Sequence, residues 1–207
     1  PAHEQVYRQL RDQVLFGGLV PGQPVTIQGL TDSLGVGMTP VREALRRLMA
    51  QGALEFLGNR RIAVPVLDAQ AIGELTIARK ALEPELVRRA AQKAAPDDIA
   101  RLTEIDARLD DAIRRGDVHR YLVENHQFHG DLNALARAPI LTEMVDRLWL
   151  RFGPSLRVVC GQVGTRNLPD RHKDVLAALT ARDADAAAAA MEGDVMQGME
   201  QILQGVT

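Results

Sequence analysis

A change in the pattern of apolar residues near the end of the first third of the chain constrains its fold most. From residue 62 to 66, apolar residues alternate with others after a Gly58-Asn59 turn, which predicts a small β-hairpin. After Asp68 the strand pattern ends and apolar residues recur at helical spacing. The pattern therefore predicts a mostly α-helical chain with two domains, residues 1–66 and 67–207.

The second domain is predicted to be an all-α helical bundle. Proline, glycine and aspartate residues separate its helical segments, as expected for helix ends. The predicted helices span residues 68–94, 97–115, 118–137, 139–156, 167–181 and 184–204.

Three short helices precede the hairpin in the first domain. The first runs from about residue 3 to 16, and the second begins after an N-cap at Thr26 and ends at Gly35. The third has Thr39 as its predicted N-cap and Pro40 at its first position. The order of helix, helix, turn, helix and hairpin predicts a winged helix-turn-helix.

The composition excludes several classes of protein. The 207 residues are 46% apolar, which suffices for a core, and the formal net charge of −2 excludes a uniformly basic nucleic-acid coat. A single cysteine, Cys160, excludes a disulfide framework and favours a reducing compartment, so we expect a cytoplasmic protein. The sequence shows neither a signal-peptide pattern nor an apolar run of about 18 residues, so we expect no membrane association.

Positive charge within the first domain is concentrated where a DNA-reading surface needs it. Residues 1–66 contain seven basic and five acidic side chains. An ordinary solvated helix face and a polar turn explain the same charges, so both interpretations stay open on charge alone. Five of the seven basic residues lie in the third helix or the hairpin, namely Arg42, Arg46, Arg47, Arg60 and Arg61.

A helix-turn-helix places the start of its second helix against base edges in the major groove. Thr39 and Arg42 lie at that end of the third helix, with Arg46 one turn further on. Arginine pairs in bidentate fashion with guanine O6 and N7, so Arg42 is the best candidate for base reading. The hairpin tip, with Asn59, Arg60 and Arg61, is predicted to contact the adjacent minor groove.

Several motifs resemble a known family. The segments Gly18-Leu-Val-Pro-Gly22, Leu34-Gly-Val36 and Thr39-Pro-Val-Arg-Glu-Ala-Leu-Arg-Arg-Leu48 resemble the DNA-binding domain of GntR-superfamily bacterial regulators. The run Asn125-His-Gln-Phe-His129 with Arg171-His172 resembles the FCD-type effector domain of the FadR branch. The resemblance implies a homodimeric, ligand-responsive repressor that binds near-palindromic operator DNA and takes a small organic acid as inducer.

The sequence departs from the family pattern at the reading helix. Family members commonly carry Ser-Arg before Thr-Pro, whereas Gly37-Met38 precede Thr39 here. Gln28 stands where some relatives have a cation. A lost bidentate contact weakens recognition of one base pair by about 1–3 kcal/mol, so these positions alter sequence preference.

The resemblance also implies a divalent cation in the effector pocket. In this sequence the matching positions are Asn125, His129, His172 and Asp194, and two imidazoles with a carboxylate suit zinc, nickel or manganese. A single histidine in a helical bundle is more often an ordinary, partly buried, hydrogen-bonded residue than a metal ligand, so only the joint match to the family positions favours a metal. Arg79 is predicted either to bind the carboxylate of the effector or to pair with Glu83 at i+4.

Two other functions fit parts of the pattern. A metal-dependent enzyme acting on a small carboxylate uses a similar ligand set, but the sequence has no HExxH motif, glycine-rich phosphate loop or recognisable nucleophile pattern. A purely structural interaction module leaves both the arginine-bearing helix and the polar cluster without a role. We therefore predict a ligand-responsive DNA-binding transcription regulator and not an enzyme.

Overall fold

The computed structural model of the protein describes residues 2–59, 61–164 and 171–206. The N-terminal part of the chain contains three helices and three short strands. In chain order these are α1 (Ala2–Phe16), β1 (Val25–Thr26), α2 (Ile27–Leu34), α3 (Met38–Ala50), β2 (Glu55–Gly58) and β3 (Arg61–Ala63).

The remainder of the described chain is helical, as its periodicity predicts. Its helices are α4 (Ala69–Lys93), α5 (Pro96–Arg115), α6 (Val118–Leu135), α7 (Pro139–Val163), α8 (His172–Thr180) and α9 (Ala184–Val206). None of the helices in the described ranges is both long and apolar enough to cross a bilayer.

The three strands form an antiparallel sheet in the order β1-β3-β2, which confirms the winged helix-turn-helix fold. Strands β2 and β3 are the predicted hairpin, and β1 is an addition that the sequence did not predict. With Val25 opposite Ile62 and Thr26 opposite Arg61, β1 is only two residues long. A segment of that length has no alternation to detect.

Helix caps explain one confirmed and one wrong prediction. Thr26 caps α2 as expected, because its hydroxyl oxygen accepts a hydrogen bond from the Gly29 backbone N–H at 3.0 Å. Thr39 is not the cap of α3. Gly37 has the extended backbone of an N-cap, with φ −71° and ψ 161°, and forms no side-chain capping bond, so Met38 is the first helical residue.

Helix α7 is longer than predicted. The sequence places its end at residue 156, but the helix continues through Gly161 and ends before Gly164, whose φ of +73° and ψ of −176° favour glycine. Pro154 is buried within the helix, so packing overrides its tendency to break helices. The next helix begins at His172, and the predicted helical residues 167–170 lie outside the described ranges.

Buried apolar residues of both parts of the chain form one continuous cluster. Within the bundle, α4 packs mainly on α9, and α5 packs on α6 and α8. Helix α1 packs on α3 within the winged helix-turn-helix and also on α7 of the bundle. Helix α7 thus belongs to the bundle and supports the N-terminal helices.

Candidate DNA-reading helix and metal centre

Helix α3 has one buried face and one basic face. Its buried residues occur at helical spacing and attach it to the core. Thr39, Arg42 and Arg46 form an exposed stripe on the other side. Within the described ranges, neither Arg42 nor Arg46 forms an ion pair, so both guanidinium groups face solvent. This arrangement matches the requirement for a helix that reads a groove.

Arg47 differs from its two neighbours in the predicted set. Its Nη1 donates to Glu4 Oε2 at 2.9 Å, and its guanidinium lies 3.6 Å above the centre of the Tyr7 ring. Both partners belong to α1. Arg47 therefore joins α3 to α1 in this structure, in addition to the DNA contact that the sequence predicts for it.

The tip of the β2–β3 hairpin is exposed, as the sequence predicts. Asn59 adopts left-handed backbone with φ 48°, which a tight turn between two strands requires. Asn59 and Arg61 both face solvent. Arg60, the third predicted contact of this hairpin, lies outside the described residues.

Three helices bring the predicted metal ligands together. Helix α6 carries His129, α8 carries His172 and α9 carries Asp194, and ligand atoms of all three lie within 4.8 Å of one another. His129 Nε2 is 3.3 Å from Asp194 Oδ2 and 3.4 Å from His172 Nε2, and His172 Nε2 is 4.0 Å from Asp194 Oδ1. Asn125, one turn before His129, is buried and lines the same cavity.

The surroundings of this cluster favour positive charge at His129. Burial by itself lowers the pKa of His129, but the Asp194 and Glu83 carboxylates outweigh it and raise the pKa to about 9. Burial also raises the pKa of Asp194, yet hydrogen bonding to His129 and the nearby imidazoles hold it well below its usual range. The cluster thus provides an environment that stabilises a cation.

Two further carboxylates lie behind the histidines, on the side away from Asp194. Glu83 Oε2 is 3.6 Å from His129 Nδ1, and Asp106 Oδ1 is 3.4 Å from His172 Nδ1. Carboxylates in this position orient the imidazole of a metal ligand and fix the tautomer that presents Nε2. The sequence analysis missed Asp106, although an acid on the buried stripe of α5, next to Ile105, was a usable signal.

Arg79 forms the predicted ion pair with Glu83. Its Nε and Nη2 donate to the two Glu83 oxygens at 2.6 and 3.1 Å, and both side chains are almost completely buried. The guanidinium also lies 3.9 Å from the centre of the Phe152 ring. Burial raises the pKa of Glu83, but Arg79 and then His129 more than compensate and lower it. Arg79 still lines the cavity beside the metal ligands.

The cavity above the cluster is small. Its volume is about 30 Å³, and its wall includes Arg79, Asn125 and His129, three residues of α7 and several residues of α9. Space of this size holds an ion or about one water molecule, whereas sites for organic ligands usually measure about 300–1,000 Å³. In this arrangement of the helices the cavity therefore suits a cation and excludes an organic acid.

A winged helix-turn-helix joined to a helical bundle with a buried polar cavity defines a DNA-binding transcription regulator with an effector domain. Two family models match the chain: "Bacterial regulatory proteins, gntR family" at residues 2–64 and "FCD domain" at residues 74–195. The chain belongs to the GntR family of bacterial regulators that carry an FCD domain. This membership makes it a transcription regulator and not an enzyme.

Individual relatives agree with this assignment. The chain is 32% identical to the HTH-type transcriptional regulator McbR of Escherichia coli K12 over 86% of its own length and 82% of McbR. It is 24% identical to the E. coli repressor RspR over 99% of its length and 90% of RspR. The solved structure of E. coli McbR, at 29% identity, covers 100% of this chain and 99% of its own, with a TM-score of 0.93.

The buried Arg79–Glu83 pair gives a test of stability. Glu83→Ala leaves the Arg79 charge buried without its partner, and we expect the free energy of unfolding to fall by about 3–5 kcal/mol. Glu85→Ala, on the same helix, removes only exposed ion pairs to Arg88 and Arg89, and should change stability little. Urea unfolding followed by circular dichroism measures both. Equal losses of unfolding free energy in the two variants would contradict a special contribution of the buried Arg79–Glu83 pair to stability.

Proposed function

We propose that the protein is a ligand-responsive repressor that binds operator DNA as a homodimer and senses a small organic acid through a metal-containing effector domain. The observation that carries the proposal is the convergence of His129, His172 and Asp194, from three helices, in a chain whose α3 exposes an arginine stripe. The similarity to RspR, an HTH-type transcriptional repressor, supports the repressor role. Such a protein acts where the chromosome lies, in the bacterial cytoplasm.

On this proposal residues 1–66 bind DNA and residues 67–207 bind the effector and the second subunit. Thr39, Arg42 and Arg46 enter the major groove, and the hairpin residues Asn59, Arg60 and Arg61 contact the flanking backbone and minor groove. Two copies place their α3 helices about 34 Å apart, one turn of DNA. Met38, 38% exposed at the start of α3, takes the place of a guanidinium and changes base preference there.

The donor atoms of the cluster fit a tetrahedral metal ion. With metal–ligand distances of about 2.0–2.2 Å, tetrahedral geometry separates neighbouring donors by about 3.3–3.6 Å. Two of the three separations, 3.3 and 3.4 Å, fall in this range, and the third is 4.0 Å. We propose that His129, His172 and Asp194 hold zinc, nickel or manganese, with the Asn125 amide oxygen as a weak fourth donor. A bound cation of this kind supplies a site for a carboxylate.

A small organic acid is the proposed effector because the cavity offers two groups that favour carboxylates. One is the metal site, and the other is Arg79, whose guanidinium lines the cavity. Since Glu83 already engages Arg79 in bidentate fashion, an effector carboxylate meets Arg79 only by competing with Glu83. Binding also requires the cavity to expand, because its volume is about 30 Å³.

Regulation then follows from linkage between the two domains. An effector that binds only an expanded bundle shifts the protein towards that state by its difference in affinity for the two arrangements. Coupling free energies of about 1–3 kcal/mol are typical and release DNA fivefold or more. The effector therefore lowers operator affinity if the expanded bundle holds the two α3 helices away from the spacing of successive major grooves.

Arg42→Ala tests base reading. We expect specific affinity for an operator selected from randomised duplexes to fall by about 1–3 kcal/mol per half-site, because a bidentate contact is lost. Arg101→Ala, which removes an exposed arginine of α5, is the control for charge and should bind normally. Fluorescence anisotropy at fixed salt gives both affinities. Unchanged binding by Arg42→Ala would remove this residue from the reading role.

Replacing both imidazoles tests the metal site. The double variant His129→Ala/His172→Ala should lose the metal that co-purifies with the wild-type chain, since a single carboxylate remains of the three strong donors. His3→Ala removes an exposed histidine of α1 and should retain the metal. Elemental analysis of the purified proteins reports the stoichiometry. Full metal occupancy in the double variant would refute the site.

Asp106 and Asp110 provide a matched pair for the residues behind the ligands. Both pair with Lys173, at 3.2 and 3.0 Å, and Asp106 also lies 3.4 Å from His172 Nδ1. We expect Asp106→Ala to weaken metal affinity by about 10- to 100-fold because His172 loses its orienting partner. Asp110→Ala should leave metal affinity unchanged. Competition titration with a chromophoric chelator measures both, and equal effects would assign Asp106 no role at the metal.

A further inference from the structure

Helix α7 contacts both the effector cavity and the winged helix-turn-helix. Trp149, Phe152 and Leu156 line the cavity from one side of the helix. On another side, Gly153 allows a close approach of α1, since a Cβ at this position would lie only 3.3 Å from Leu15 Cδ2. A shift of α7 at the cavity wall therefore reaches α1 without passing through another helix.

Two arginines of α7 extend this contact to the ends of α1 and α3. The guanidinium of Arg151 lies against Gly52, just after the C-terminus of α3, and the Arg157 side chain lies against Gly17, just after the C-terminus of α1. A Cβ at either glycine would overlap the arginine, and both glycines have positive φ, +75° and +99°. The positive φ favours glycine at both places, and the missing Cβ leaves room for the arginine side chain.

The charges at these contacts are complementary. The last backbone carbonyls of a helix give its C-terminus a partial negative charge, which a nearby cation stabilises. Arg151 and Arg157 supply a cation at the C-termini of α3 and α1 respectively. The same helix of the effector domain thus places a cation beside the C-terminal ends of the reading helix and its supporting helix.

Part of this interface is open. A cleft of about 650 Å³ separates α1 and the end of α3 from α6 and the first half of α7, and its wall includes Tyr7, Gln51 and Asp146. Beside the cleft, α1 contacts α7, and Phe16 of α1 packs edge-on against His126 of α6. The cleft leaves room for the winged helix-turn-helix to change its angle when α7 moves.

We propose that Arg151 and Arg157, referred to below as the α7 arginine pair, are positioning residues that transmit displacement of α7 at the effector cavity to the DNA-reading helix. This inference rests on the proposed function and adds the route of coupling. An effector too large for a cavity of about 30 Å³ must push its walls apart, and α7 forms one of them. The α7 arginine pair then carries the displacement to the ends of α3 and α1.

The test uses a side chain in place of the unidentified effector. Gly198 of α9 lines the cavity, and a Cβ at this position meets no heavy atom within 4 Å. Gly198→Phe places a large side chain, referred to below as the wedge, at the cavity wall, and Gly198→Leu places a smaller one there. Gly198→Ala adds only a Cβ, for which there is room, and serves as the control. Each Gly198 substitution is made in three backgrounds: the wild-type chain, the double variant Arg151→Ala/Arg157→Ala, and the control variant Arg147→Ala. Arg147 pairs with Glu143 within α7.

Two readouts are followed in every variant, namely affinity for an operator selected from randomised duplexes and hydrogen exchange of the α1 and α3 amides. In the wild-type and Arg147→Ala backgrounds, we expect the wedge to weaken operator affinity at least fivefold and to change exchange in α1 and α3. In the Arg151→Ala/Arg157→Ala background, we expect the wedge to change affinity less than twofold and to leave exchange in these helices unaltered. If Gly198→Phe does not fold, Gly198→Leu takes its place.

The outcomes separate the coupling route from the function itself. A wedge effect of equal size in all three backgrounds, in affinity or in exchange, would overturn the role of the α7 arginine pair while leaving DNA binding intact. A wedge without effect in the wild-type background would also overturn it. Absence of any preferred duplex for the wild-type chain would refute the proposed function, whereas the exchange measurement would still report whether α7 and α3 are coupled.

Discussion

A chain of opposite charges buried in the effector domain holds its helices together. The guanidinium of Arg79 on α4 binds Glu83, Glu83 faces His129 on α6, and His129 contacts Asp194 on α9. His172 on α8 continues the chain to Asp106 on α5. Five helices of the bundle thus contribute to one network. Because each buried charge is stabilised by its neighbours, removal of any one leaves another uncompensated.

This network also explains why the cluster suits a cation. Three carboxylates surround two imidazoles, and two of them, Asp194 and Glu83, raise the pKa of His129 to about 9 against the effect of burial. A proton on His129 or a metal ion between the imidazoles compensates the negative charge of these carboxylates. On the proposed function, a metal ion takes the place of that proton and keeps the network compensated.

The sequence predicted those parts of the fold that local signals determine. The apolar stripe of α3 and the Thr26 cap follow from spacing and side-chain chemistry within a few residues, and both are confirmed. The cap of α3 was wrong because Gly37 and Thr39 are both acceptable cap residues and only the backbone angles distinguish them. The end of α7 was wrong because Gly161, the start of a glycine-rich stretch predicted to separate two helices, lies within the helix.

The candidate site likewise combines features that the sequence predicts with contacts that only the folded structure reveals. His129, His172 and Asp194 were predicted through the resemblance, and the structure brings their ligand atoms together. Spacing within one helix relates only Asn125 to His129, so convergence of three helices was beyond any local pattern. The approach of Arg151 to Gly52 is likewise a contact between residues far apart in sequence. Nothing near either residue indicates its partner.

On the proposed function, the size of the cavity determines which arrangement of the helices binds the metal and which binds the effector. On the proposed function, a cation occupies the space of about 30 Å³ in the compact arrangement, in which α7 packs on α1. On the same proposal, an organic acid binds when the walls of the cavity separate. A ligand shifts an equilibrium by its difference in affinity for the two states, and steric exclusion from one state makes that difference large. On the proposed function, a cavity too small for the acid therefore enables even a weakly binding acid to act as a strong switch.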